Sequence, residues 1–190
     1  MKAVVMGASA GGLNALKTIL SSLPKTFSLP LIIVQHIHPK GTSYCVDALS
    51  AECVLTIREA IDKDKLTKGT VYLAPPDYHL LVEDEETLTL SADEKVNYAR
   101  PSIDVLFESA SDVFKEGVVG VVLTGANNDG ANGLRYLKHY GGIAVVQDPK
   151  TAEHPTMPQA ALALTSVDHL LNLEAIAEFL ISVAGPGEGP

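Results

Sequence analysis

Three residues of the chain are of the types that together can split an ester or amide bond: Ser9, His36 and Asp129. Ser9 lies in Gly7-Ala8-Ser9-Ala10-Gly11, the G-x-S-x-G pattern of a serine presented on a strand-to-helix turn. A serine hydroxyl is a poor nucleophile at neutral pH. It needs a base within hydrogen-bond reach and a third group that holds the base in the right tautomer. A histidine and an aspartate fit those two roles. At the start of a helix, Ser9 would also have the Ala10 N–H and the helix dipole aimed at the place where a tetrahedral oxyanion forms. The chain order Ser, His, Asp differs from the Ser, acid, His order of α/β-hydrolases, so the constellation would be a separate solution to the same geometry.

Each residue also has a plainer reading. The glycine-rich turn could cradle a phosphate, and Ser9 could simply cap a helix. A dinucleotide site wants G-x-G-x-x-G and an acidic residue about 20 positions further on, at the end of the second strand. Here Ser9 stands at the middle glycine and His36 ends that strand, which argues against NAD but leaves other phosphates open. His38 competes with His36, because alternate residues of an extended segment share a face. The two could form half of a metal site, yet no third ligand has a fitting spacing. Asp129, in Asn127-Asn128-Asp129-Gly130, reads equally well as a turn residue or helix cap. His79 fits a hairpin, and His139, His154 and His169 fit loops or helix ends.

Periodicity predicts the scaffold. Apolar runs at 2–6, 29–35, 53–57, 117–123 and 143–146 read as strands. Helical spacing follows the first run at Leu13, Leu16, Ile19, Leu20 and Leu23, and recurs at 41–52, after Ser102, at 131–139 and at 173–184. Ser102 is a natural N-cap. Between Thr70 and Leu90, short strands joined by tight polar turns, including the acidic run Glu83 to Glu86, predict an antiparallel hairpin inserted into or flanking the main sheet. Strands alternating with helices imply a three-layer αβα fold, α/β in class, with a mostly parallel, doubly wound, Rossmann-like sheet. Ligands bind such sheets outside the carboxyl ends of the strands. Ser9, His36 and Asp129 each follow a predicted central strand and therefore share one edge.

The 190 residues, 46% of them hydrophobic, suffice for one sizeable core: a domain is expected over 1–184, and a Gly/Pro tail over 185–190. A net charge of −9 without a Lys/Arg cluster argues against a nucleic-acid binder. Cys45 and Cys53 lack metal or redox spacing and read as small hydrophobes. No run approaches the roughly 18 apolar residues of a membrane span, and no signal peptide is visible, so a cytoplasmic protein is expected.

Six blocks, in order, carry a resemblance. They are Gly7 to Gly12; Gln35-His36-Ile37-His38-Pro39; Tyr72 to His79; Arg100-Pro101-Ser102-Ile103-Asp104-Val105-Leu106-Phe107; Leu123-Thr124-Gly125 through Asn128-Asp129-Gly130; and Met157-Pro158. Together they resemble the catalytic domain of the chemotaxis protein-glutamate methylesterases, the CheB family, over residues 4 to 161. The resemblance implies that Ser9 is the nucleophile, His36 the base and Asp129 its orienting acid. It implies removal of methyl groups from γ-glutamyl methyl esters on the cytoplasmic helices of chemoreceptors, with methanol released. Deamidation of receptor glutamines, which some members perform, is a second implied activity. It implies neither cofactor nor metal and no insertion into the membrane; a monomer is the working expectation. Ala10 and Ala126 stand where the family commonly has Thr and Met; they would contribute backbone donors to the oxyanion, while Arg100 and Met157 would lie near the substrate. Typical members carry an N-terminal receiver domain, and this sequence begins directly at the catalytic strand. A catalytically silent scaffold that only binds receptors would have the same sequence pattern.

Overall fold

Alternate residues of strand β1 (Ala3–Ala8) enter opposite cores: Val4, Met6 and Ala8 one, Ala3 and Val5 the other. A strand buried on both faces belongs in the middle of a parallel sheet covered by helices. In the computed structural model, which describes residues 1–36 and 42–185, it occupies that place. The other strands are β2 (Leu31–Gln35), β3 (Thr56–Glu59), β4 (Thr70–Leu73), β5 (His79–Asp84), β6 (Thr87–Ser91), β7 (Val118–Val122), β8 (Ile143–Gln147) and β9 (His169–Leu171). The helices are α1 (Gly12–Ser22), α2 (Thr42–Ser50), α3 (Ile103–Phe114), α4 (Ala131–His139), α5 (Thr156–Leu164) and α6 (Leu173–Ala184).

Seven strands form one parallel sheet in the order β3-β4-β2-β1-β7-β8-β9. The core on one face is filled from α1, α2 and α6, the other from α3, α4, α5 and the β5–β6 hairpin. The predicted three-layer α/β fold is therefore present. Among the described residues no helix is long and apolar enough to cross a membrane.

Three local expectations change. The run at 71–74 is no part of the hairpin: β4 lies between β2 and β3 in the main sheet, with Val71 and Leu73 in one core and Tyr72 in the other. The hairpin is a separate two-stranded antiparallel sheet packed on α3, where Val82 N–H donates to Ser109 Oγ at 3.1 Å. The third strand starts at Thr56, leaving Cys53 in the preceding loop, half-buried and free; Cys45 is buried on α2. His169 is on β9, an edge strand of three residues, too short to leave a periodic signal. His38 lies outside the described residues, as does the tail at 186–190.

Helices α3 and α4 approach closely because Gly133 has no side chain. A Cβ there would lie 2.8 Å from both Asp104 Cα and Phe107 Cβ. Since one of these atoms is backbone, the helices would have to separate. Gly133→Ala is expected to destabilise the protein by about 1–3 kcal/mol, the usual range for overpacking, despite alanine's better helix propensity. Denaturant unfolding of the two proteins measures this; equal midpoints would show that the interface can yield.

Candidate active site

The chain runs from β1 outward through β2 on one side, and later fills the other side with β7, β8 and β9, so β1 and β7 flank a topological switch point. His36, Ser9 and the 123–130 segment leave the adjacent strands β2, β1 and β7 at their carboxyl ends. Backbone bonds lace these exits together: Ser9 N–H donates to Thr124 O at 3.0 Å, and His36 N–H to Ala8 O at 2.9 Å. Gln35, buried at the end of β2, donates from Nε2 to Ser9 O at 2.9 Å and to His36 O at 2.8 Å. Its side chain crosses over Gly12, where a Cβ would meet Gln35 Oε1 at 2.0 Å. The left-handed residue of the serine turn is Gly11, at φ 74°, and Ser9 is absent from the positive-φ residues. The turn therefore puts its left-handed residue two positions after the serine and leaves Ser9 itself outside the left-handed region.

Asp129 is 1% exposed and surrounded by donors. Its Oδ2 accepts from His36 Nε2 at 2.9 Å and Ile103 N–H at 2.7 Å. Its Oδ1 accepts from Ser102 Oγ at 2.9 Å and from the N–H groups of Asp104 and Gly130, each at 3.1 Å. Ser102 occupies the N-cap position of α3 as predicted, but its hydroxyl makes no cap bond and is donated to Asp129 instead. The carboxylate from the next loop caps the helix. Asp104 returns the arrangement, accepting from Gly130 N–H at 2.9 Å and Gly133 N–H at 2.7 Å at the start of α4. Asn97 Nδ2 bridges the two acids, 2.8 Å from Asp104 Oδ2 and 3.4 Å from Asp129 Oδ1.

These surroundings push the two carboxyls apart. Burial works to raise Asp129, but the His36 bond and the backbone N–H groups of Ile103 and Asp104 outweigh it and hold the group below the usual carboxylate range. Burial raises Asp104, the nearby charge of Asp129 adds to the rise, and bonds from Gly133 and Asn97 only partly oppose it. Of the two acids, the one that faces the imidazole is the one whose charged form the surroundings favour.

A carboxylate can only accept, so the imidazole donates from Nε2 to Asp129 and Nδ1 is its accepting nitrogen. Nδ1 lies 3.1 Å from Asn127 Nδ2, which is 3.5 Å from Ser9 Oγ. The His36 side chain is 15% exposed and Ser9 is half-buried, so both are more accessible than the acid. Both open onto a cleft of about 510 Å³, walled by Asn97, Tyr98, Arg100 and Asn127. Arg100 anchors that wall, its Nη1 donating to Ala92 O at 2.7 Å and Asp93 O at 2.9 Å, and its Nε has no partner among the described residues. A slightly larger depression, about 540 Å³, lies beyond Asn97 between α3 and α4 and contains neither Ser9 nor His36.

The remaining anticipated residues fall in different places. Ala10 is half-buried beside Ser9, its carbonyl held by Thr124 Oγ1 at 2.9 Å; Ala126 is exposed next to Asn127. Met157 is buried under the 124–127 turn, its N–H donating to Gly125 O at 3.0 Å, so it braces the turn and does not line the cleft. Among the described residues no three His, Cys, Asp or Glu side chains group as metal ligands. The sequence reading missed Gln35, Asn97 and Asn127. A polar residue closing an apolar run was the one visible signal for Gln35; nothing local distinguishes the two asparagines from ordinary turn residues.

A doubly wound parallel sheet with a serine, an imidazole and a buried carboxylate at its switch point defines the class, an α/β protein with a site of the serine-hydrolase type. The CheB methylesterase family model matches residues 4–180, and the chain belongs to that family. A putative protein-glutamate methylesterase/protein-glutamine glutaminase of Leptospira interrogans is 52% identical over 95% of this chain and 93% of its own length. The protein-glutamate methylesterase/protein-glutamine glutaminase of Clostridium acetobutylicum is 34% identical over 96% of this chain, which spans only 53% of that relative. The crystal structure of the Thermotoga maritima CheB methylesterase catalytic domain superposes with a TM-score of 0.91 at 33% identity, over 95% of this chain and 97% of that one.

The depressed Asp129 carboxyl has a consequence for acid stability. Its folded value lies below the unfolded one of about 3.9, so its contribution is complete above that pH and is lost as pH falls through the lowered value. From about pH 5 downward, the wild-type protein should lose more unfolding free energy than Asp129→Asn, which starts lower but lacks this term. Denaturant titrations at several pH values test it, and parallel losses would contradict the charge assignment.

Proposed function

We propose that the protein hydrolyses γ-glutamyl methyl esters on the cytoplasmic domains of methyl-accepting chemotaxis receptors, and deamidates receptor glutamines by the same route. The observation that carries the reading is the convergence of Ser9, His36 and Asp129 at one switch point beneath an open cleft, in a chain of the CheB methylesterase family. On this reading the enzyme works in the cytoplasm and takes part in chemotactic adaptation.

The chemistry follows from the fixed tautomer. Ser9 Oγ attacks the ester carbonyl while its proton passes to His36 Nδ1, and Asp129 stabilises the imidazolium through Nε2. Collapse of the tetrahedral intermediate breaks the carbonyl–methoxy bond, and Nδ1 returns the proton to the leaving oxygen as methanol is formed. With a glutamine side chain the same proton goes to the leaving nitrogen and ammonia departs. Water, deprotonated by Nδ1, then attacks the Ser9 acyl ester; the acyl–Oγ bond breaks, Nδ1 returns the proton to Ser9 Oγ, and the glutamate carboxylate is freed. The Ala10 N–H, which donates to no acceptor among the described residues, is available to the oxyanion.

The test is methanol release from a methylated chemoreceptor cytoplasmic fragment, with ammonia release from the glutamine form measured alongside. Ser9→Ala should abolish both and leave the fold intact. Asp129→Asn should reduce turnover by up to about 10⁴-fold, as loss of the orienting acid does in serine protease triads. Undiminished methanol release from Ser9→Ala would exclude the serine route, and no release from folded wild type would favour a binding scaffold.

A further inference from the structure

The Asn127 side chain has its orientation decided by a bond away from the cleft. Its Oδ1 accepts from Asp129 N–H at 3.0 Å, so the NH₂ group faces the opposite way, toward Ser9 and His36. There it donates to His36 Nδ1 at 3.1 Å and, at the longer distance of 3.5 Å, to Ser9 Oγ. It lines the cleft and is the polar side chain placed between nucleophile and base. Ala10, the residue after the nucleophile, carries no side-chain donor.

We propose that the Asn127 side-chain amide is a catalytic residue, an oxyanion donor that changes its acceptor during the reaction. This rests on the serine-esterase reading above. In the resting site the amide donates to the lone pair of Nδ1. Once the amide swings off this lone pair, Nδ1 can take the serine proton: as the Ser9 Oγ–carbon bond forms, the carbonyl π pair moves onto the carbonyl oxygen and the proton moves onto Nδ1. Nδ1 can then no longer accept, and an oxyanion has appeared on the carbon bonded to Oγ, within reach of the same N–H group. The donor moves from a neutral nitrogen to a negative oxygen. Its interaction is therefore stronger in the transition state than in the ground state, which is the condition for raising kcat. When the carbonyl re-forms, the methoxy group leaves, Nδ1 gives up its proton, and the lone pair takes the amide back.

Two variants test this. Asn127→Asp retains an oxygen for the Asp129 N–H and removes the donor; Asn127→Ala removes both. Loss of the donor is what they share, and thermal unfolding verifies that each is folded. Methanol release gives kcat and KM separately, and the rate at which a fluorophosphonate labels Ser9 reads nucleophile and oxyanion stabilisation independently of the natural substrate. Both variants should lose about 10²–10³-fold in kcat with KM little changed, and should label more slowly in parallel. Labelling or turnover at the wild-type rate or faster in either variant overturns the proposal, and shows that the amide only latches the imidazole. If wild type is labelled at Ser9 but releases no methanol, the methylesterase reading fails and the labelling rates alone decide the role of Asn127. Failure to label Ser9 in folded wild type overturns both.

Discussion

A carboxylate that is almost fully buried must be surrounded by donors or it will not stay ionised, and Asp129 meets this condition with groups from three parts of the chain. Two of its donors are N–H groups from the first turn of α3, which otherwise would have no partner. Asp104, inside α3, does the same for the first turn of α4. The helices thus cap each other, each through an acid that belongs to the other's neighbourhood. The imidazole of His36 takes the remaining direction, and its tautomer follows from the helix packing.

The hairpin contributes to this arrangement although it stands apart from the main sheet. His79 on β5 is 2% exposed, and its Nδ1 accepts from Ser102 N–H at 3.2 Å, just ahead of α3. With that nitrogen accepting, Nε2 is the donor, to Glu94 O at 3.0 Å in the segment that walls the cleft. One buried histidine therefore ties the hairpin, the cleft wall and the start of α3 together. Arg100, itself part of that wall, adds two bonds to the backbone at Ala92 and Asp93. The wall is held by His79 from β5 and by Arg100 from within the wall itself, while Tyr98, at φ 63° and 98% exposed, projects from its tip. Such an aromatic side chain on a fixed stem offers contact area to a protein substrate at low ordering cost.

Exposure differs along the site. The acid is buried and its charged form is favoured, while the imidazole and the hydroxyl both open to the cleft. Asn97, donating to both Asp104 and Asp129, eases the repulsion that two nearby carboxylates create. A site arranged in this way keeps the orienting charge strong, because water is excluded around it, and still lets a large substrate reach the serine.

Much of the scaffold was legible in the sequence because it rests on local periodicity. The double burial of β1, the 3.6-residue spacing of α1 and α4, and the Val-rich run of β7 are each set by residues close together in the chain. Ser9, His36 and Asp129 were also visible, since each type carries a chemistry and each follows a strand. What the sequence by itself determined was therefore the class of fold, the shared edge and the three candidate groups. Strand adjacency was decided only in the tertiary structure, because β4 inserts between β2 and β3 while β2, β1 and β7 stay together. So were the cap of α3 by Asp129, the crossing of Gln35 over Gly12 and the position of the Asn127 amide. These contacts join residues 23 to 118 positions apart, and a hydrogen bond across that distance leaves no periodic trace in either segment.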